Sequence, residues 1–178
     1  MDEPAVHRAV ARMARELVEQ NEGPANLALL GIQRRGVQIA DLIRSEIERA
    51  EGVTVPLGSL DITLYRDDLM VIGPRPVIGA TSLPEGGVDE RAVVIVDDVL
   101  FTGRTVRAAL NELMDWGRPA RVSLCVLVDR GGRQFPIQAN VVGRLVTVAS
   151  DQSVEVSVPD LDGRWGVELV PLSSEAGA

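Results

Sequence analysis

The chain contains no lysine, so all 18 of its positive side chains in 178 residues are arginines. That absence rules out lysine-based mechanisms, a Walker A nucleotide site among them, and leaves planar guanidinium forks as the only side-chain cations able to meet a phosphate. A single cysteine, Cys125, and a single histidine, His7, exclude an internal disulfide and a multi-cysteine zinc site. Aromatic residues make up only 3% of the chain against 46% hydrophobic, so aliphatic packing must carry the core. No signal-peptide pattern and no apolar run long enough to span a bilayer is present, which makes the cytoplasm the expected location and gives no reason to expect a membrane partner. Lysine-free and carrying a net charge of -8, the chain is not built for indiscriminate polyanion binding, although a local basic surface stays open to it.

What remains reads as one domain over residues 1–178 with a substantial core. Val6, Val10, Met13, Ala14 and Leu17 share one face of a helix over residues 4–20, with Arg8, Arg12 and Arg15 on another stripe. Residues 27–31 form a short strand, and Val37, Ile39, Ala40, Ile43 and Ile47 mark a second helix. Residues 53–65 read as extended, with a break near 56–59 where proline and glycine occur. Residues 67–89 are punctuated by proline and glycine and suit a flexible loop or hairpin. A strand over 92–96, a helix with Val106, Ala109, Leu110, Leu113 and Met114 on one face, and a strand over 122–128 follow. Helices alternating with apolar strands predict an α/β fold with a mainly parallel sheet flanked by helices. Residues 154–158 and 165–170, around an Asp-Gly turn, predict a C-terminal β-hairpin.

The chemistry concentrates in residues 93–105, Val-Val-Ile-Val-Asp-Asp-Val-Leu-Phe-Thr-Gly-Arg-Thr. A buried strand runs into two acids, Asp97 and Asp98, then into the small-residue loop Thr102, Gly103, Arg104 and Thr105 ahead of a helix. Paired carboxylates accept from vicinal ribose hydroxyls, and a loop at a helix N-terminus offers backbone N–H groups to a phosphate. Adjacent acids in a regular strand point to opposite faces, so this reading needs the strand to end and the loop to turn both towards one ligand. A helix-capping or solvated acid pair is the alternative. The first strand has no G-x-G-x-x-G fingerprint, so a phosphosugar is a simpler ligand than a dinucleotide.

This segment resembles the type I phosphoribosyltransferases. Together with Leu60-Asp61-Ile62-Thr63-Leu64-Tyr65-Arg66-Asp67-Asp68-Leu69, and with Gly117-Arg118-Pro119 followed by Val126-Leu127-Val128-Asp129-Arg130-Gly131, it resembles more closely the PyrR family of pyrimidine operon attenuation proteins with uracil phosphoribosyltransferase activity. The resemblance implies the type I phosphoribosyltransferase fold, and a reaction that converts uracil and 5-phosphoribosyl 1-pyrophosphate to UMP and diphosphate with Mg²⁺. It assigns Asp97 and Asp98 to the ribose hydroxyls and residues 102–105 to the 5′-phosphate. Arg34, Arg35 and Gly36 fall in the diphosphate loop, with Arg35 and Arg66 stabilising the leaving group, and Arg130 and Gly131 fall on the uracil side. No residue is assigned as a direct metal ligand. It further implies binding of pyrimidine-operon leader RNA in response to UMP or related uridine nucleotides, through a surface including Arg12, Arg15, Arg133 and Arg144, and a homodimer or larger dimer-based assembly.

The chain departs from the family pattern at four of these places. Arg34 stands where threonine is usual and Gly132 where histidine is usual, while Arg15 replaces a histidine and Gln138 an arginine. Two further readings therefore accompany the first: a UMP-sensing RNA regulator with weak catalysis, favoured by residues 34 and 132, and a nucleobase phosphoribosyltransferase without RNA control, favoured by Gln138 and the acidic total charge.

Overall fold

The computed structural model describes residues 1–65 and 79–172. The elements run α1 (Glu3–Gln20), β1 (Leu27–Ile32), α2 (Arg35–Glu51), β2 (Leu57–Leu60), a 3-10 turn (Ile62–Tyr65), β3 (Ala92–Leu100), α3 (Arg104–Trp116), β4 (Arg121–Asp129), β5 (Val141–Leu145), β6 (Gln152–Ser157), α4 (Pro159–Asp162) and β7 (Gly166–Pro171). Five strands form one parallel sheet in the order β2-β1-β3-β4-β5, and β6 and β7 pair antiparallel in a separate hairpin.

The two faces of the sheet bury separate aliphatic clusters, as expected of parallel strands covered on both sides. On one face Val10, Met13 and Leu17 of α1 and Ile39, Ile43 and Ile47 of α2 pack on Leu27, Leu29, Val94, Val96, Cys125 and Leu127. On the other, Val106, Ala109 and Leu113 of α3 pack on Leu30, Ile95, Leu100 and Val126. Cys125 is fully buried, and burial pushes its thiol well above the ordinary range, so it is a space-filling group. His7 sits edge-on to the Trp165 ring at 6.3 Å between centroids.

Several expectations change. Residues 57–60 form β2 directly across the expected break, because its parallel pairing with β1 keeps Gly58 in a central register opposite Leu30. Residues 62–65 are helical rather than extended. Met114 is half-exposed, lying off the stripe of α3 that faces the sheet. Of the loop or hairpin expected at 67–89, residues 67–78 lie outside the described residues, as does Arg66, while Ser82 bridges back to Ser59.

With strand order 2-1-3-4-5, the direction of winding reverses between β1 and β3. In open parallel sheets ligands bind beyond the carboxyl ends of the strands at that reversal.

Candidate active site

The end of β1 leads into residues 33–35 and the start of α2, and the end of β3 carries the two acids. These two ends are in direct contact: a Cβ built on Gly36 would lie 2.5 Å from the Val96 carbonyl oxygen and 3.3 Å from Asp97 Cα. Only glycine lets the first turn of α2 press against β3 there. Arg34 is the N-cap of α2 and makes no capping bond through its side chain, consistent with a guanidinium having no acceptor to offer the first helical N–H groups. The Gln33–Arg34 peptide bond is cis.

Asp97 and Asp98 do not lie in a loop. Pairing of β3 with β4 continues to Leu100 opposite Asp129, so the strand carries both acids and gives them different surroundings. Asp97 is buried and its Oδ1 accepts the Asp98 N–H at 3.0 Å, while Asp98 is half-buried and accepts the Val99 N–H at 2.9 Å. Burial first, and the neighbouring Asp98 charge second, hold the Asp97 carboxyl well above the usual carboxylate range. Asp98 is therefore the more accessible acceptor of the two.

The following loop turns through Gly103, whose φ of +91° is a left-handed conformation that glycine adopts without strain, and α3 begins at Arg104. The Arg104 N–H donates to Thr102 Oγ1 at 3.3 Å. The loop is braced from one side by residues 134 and 135, whose N–H groups donate to the Thr102 carbonyl. Arg104 donates through Nε to Gln134 and lies 5.3 Å over the Phe135 ring, so this cation is turned towards the brace.

On the far side of β4, residues 129–133 line a cavity of about 760 Å³ together with Ile137, Gln138 and residues 145–148. Asp129 is buried, accepts the Gly131 N–H at 2.9 Å and pairs with Arg133. The Arg130 guanidinium stacks 4.0 Å over the Phe101 ring and donates to the Gln152 carbonyl at 3.2 Å. Gly132 has φ +73°, and a Cβ there would come within 2.4 Å of a Phe101 ring carbon. The missing side chain at 132 is thus matched to the position of Phe101.

Arg35 is held by Asp162 of α4, with Nη2 3.2 and 3.3 Å from the two carboxylate oxygens. Asp162 also accepts the Val158 N–H at 2.9 Å, and that bond, then Arg35, lowers its carboxyl below the ordinary value. Sequence reasoning missed both Asp162 and Phe101. Asp162 lies in what reads as a plain hairpin turn, and Phe101 reads as a loop apolar residue; only contact across the fold links them to Arg35 and Gly132.

The four arginines grouped for RNA do not share one environment. Arg12 donates to the Val142 and Gly143 carbonyls of β5, next to exposed Arg144, and Arg15 is exposed one turn further along α1. Arg133 instead donates to the Phe101 and Ile137 carbonyls and to Asp129, inside the loop that lines the cavity.

Acids on β3, a left-handed glycine turn at the start of α3 and the glycine-packed start of α2 meet where the sheet reverses, as expected of the phosphoribosyltransferase class. A family model described as a phosphoribosyl transferase domain matches residues 1–162. Among solved structures, a hypoxanthine phosphoribosyltransferase from Trypanosoma cruzi superposes with a TM-score of 0.72 at 18% identity, covering 98% of this chain and 94% of that one. "Bifunctional protein PyrR" of Herpetosiphon aurantiacus is 51% identical over 162 residues, 91% of this chain and 90% of its own length. The PyrR of Roseiflexus sp. is 47% identical over 178 residues, 99% of this chain and 97% of its own. The chain belongs to the PyrR family of phosphoribosyltransferase-fold proteins.

Proposed function

We propose that the chain, acting as one domain over residues 1–178, joins uracil to 5-phosphoribosyl 1-pyrophosphate to give UMP and diphosphate, and that it attenuates pyrimidine-operon transcription by binding leader RNA when a uridine nucleotide is present. The observation that carries the catalytic reading is the meeting of three parts at the reversal between β1 and β3: the acids on β3, the left-handed turn at Gly103 and the uncapped start of α2. Asp98 accepts from the ribose hydroxyls, its backbone N–H held by the buried Asp97 carboxyl. Backbone N–H groups of residues 103–105, with the Thr102 and Thr105 hydroxyls, take the 5′-phosphate. Uracil N1 bonds to C1 as the C1–oxygen bond breaks and its electron pair leaves with the diphosphate, and the N1 proton passes to the departing diphosphate. Arg34 and Arg35, with Gly36 allowing close approach, receive the negative charge growing on the diphosphate, as does Arg66. Arg130 and Gly131 border the base.

Among the described residues no cluster of three metal-ligating side chains occurs. The half-exposed Asp98 carboxylate suits Mg²⁺, which is commonly held by one or two carboxylates with the substrate's own oxygens completing its shell. Asp98 is the residue that would hold it, and its charge would offset that of the diphosphate.

A second reading, a UMP-sensing regulator with weak catalysis, is favoured by one observation: Arg35 is already paired with Asp162, so diphosphate must compete with an internal carboxylate. Diphosphate release from phosphoribosyl pyrophosphate and Mg²⁺, measured with uracil and with other bases separately, distinguishes the two. Uracil-dependent release supports the enzyme; nucleotide-dependent RNA binding without release supports the regulator. We also propose a dimer or larger dimer-based assembly in the cytoplasm. Among the described residues no helix is long and apolar enough to cross a membrane.

A further inference from the structure

A second cavity, of about 280 Å³, opens between the 3-10 turn and the end of α3, lined by Asp61, Leu64, Tyr65, Thr81, Glu112 and Trp116 among others. Glu112 stands on the inner face of α3 and is only 3% exposed. One of its oxygens accepts the Thr81 hydroxyl, and the Trp116 indole and the Asp61 N–H lie near the carboxylate, whereas among the described residues Oε2 has no partner in hydrogen-bond geometry. Asp61 repeats the pattern: Oδ1 accepts the Thr63 N–H at 3.0 Å, and Oδ2 is buried with no hydrogen-bond partner among the described residues. Two orphaned carboxylate oxygens at one cavity are costly unless a donor reaches both. Burial, and then the nearby Asp61 charge, push the Glu112 carboxyl up, the direction a bound cation would reverse.

The donor set is two carboxylate oxygens from separate elements, one from Asp61 just ahead of the 3-10 turn and one from Glu112 on α3. It suits a planar organic cation whose N–H groups spread over two separate oxygens. Half-exposed Trp116 and Leu64 at the rim supply an aromatic face and an apolar wall for the stem that carries it.

We propose that this cavity binds a guanidinium group on an apolar stem, with Glu112 and Asp61 accepting its N–H groups and Trp116 flanking the stem. The chemistry is shared by a free small molecule and by an arginine on another protein, so the test uses both agmatine and the tripeptide Gly-Arg-Gly. The readout is the indole ¹H–¹⁵N signal of Trp116, assigned with Trp116→Phe, against that of Trp165. A saturable shift of the Trp116 signal alone is expected with agmatine, with the peptide or with both, and the responding probe identifies the source. Glu112→Gln should weaken that binding about tenfold or more, and Asp61→Asn should weaken it in the same direction, each checked for an intact fold by thermal melting. Butylurea, a neutral molecule of similar shape, should give no saturable shift. No response to either cation at the highest soluble concentration, an equal response to butylurea, or undiminished binding in a folded Glu112→Gln or Asp61→Asn variant would overturn the proposal.

Discussion

At residue scale, the two acids of β3 illustrate how one strand gives like groups unlike properties. Period-two alternation turns Asp97 inward and leaves Asp98 half-exposed, which a sequence reading that ends the strand before the acids does not reveal. Because Asp97 is held above the ordinary carboxylate value, the folded chain keeps its proton to higher pH than the unfolded chain does. Stability therefore falls as pH rises from the ordinary carboxylate range through that raised value. Asp97→Asn should raise Tm at pH 7 by about 2 °C or more, and the gain should vanish in melts near pH 4. Gly132 supplies a second residue-scale case. Its departure from the family's histidine is readable in the sequence, but its reason, the Phe101 ring where a Cβ would stand, is not. Gly132→Ala should cost about 1–2 kcal/mol from the left-handed backbone and the clash together. Phe101→Ala in the same chain should recover about 0.5–1 kcal/mol of it in a double-mutant cycle by urea denaturation.

At the scale of elements, α1, α2, β1, β3, α3 and β4 are legible because their apolar spacing agrees with burial on one stripe or on both faces. β5 is not legible: Val141, Val142, Gly143, Arg144 and Leu145 make a short edge strand whose last two residues are exposed, so no apolar run announces it. The break expected near residues 56–59 fails because tertiary pairing with β1 overrides the local preference of Pro56 and Gly58. The C-terminal hairpin is legible as two strands, yet its contact with α2 is not, since the one-turn helix α4 carries Asp162 to Arg35 only in the folded chain. That contact gives a prediction. Asp162→Asn frees Arg35 from a carboxylate, and the apparent KM for phosphoribosyl pyrophosphate should fall by up to about fivefold, the range of an exposed ion pair. An unchanged or raised KM in steady-state kinetics would show that Asp162 positions Arg35 rather than competes for it.

For the whole molecule, the open question is how arginines distributed over an acidic chain serve RNA. Arg144 and Arg15 are exposed and flank Arg12, which is tied to β5, whereas Arg133 braces the cavity loop. Removing Arg144 or Arg15 should weaken leader-RNA binding and make the slope of log affinity against log salt shallower by about 0.7 for each phosphate that the variant no longer neutralises, with Tm unchanged. Arg133→Ala should instead cost about 1–3 kcal/mol of stability by removing the donor to Asp129 Oδ2 and to the Phe101 and Ile137 carbonyls. Filter binding over a salt series, with melting curves beside it, separates the two behaviours. The most direct test of the central claim is diphosphate release in the presence of Mg²⁺ and phosphoribosyl pyrophosphate with uracil, hypoxanthine or no base. The site described predicts release that depends on uracil and yields UMP; release that is equal with all three, or absent at saturating substrate, would contradict it.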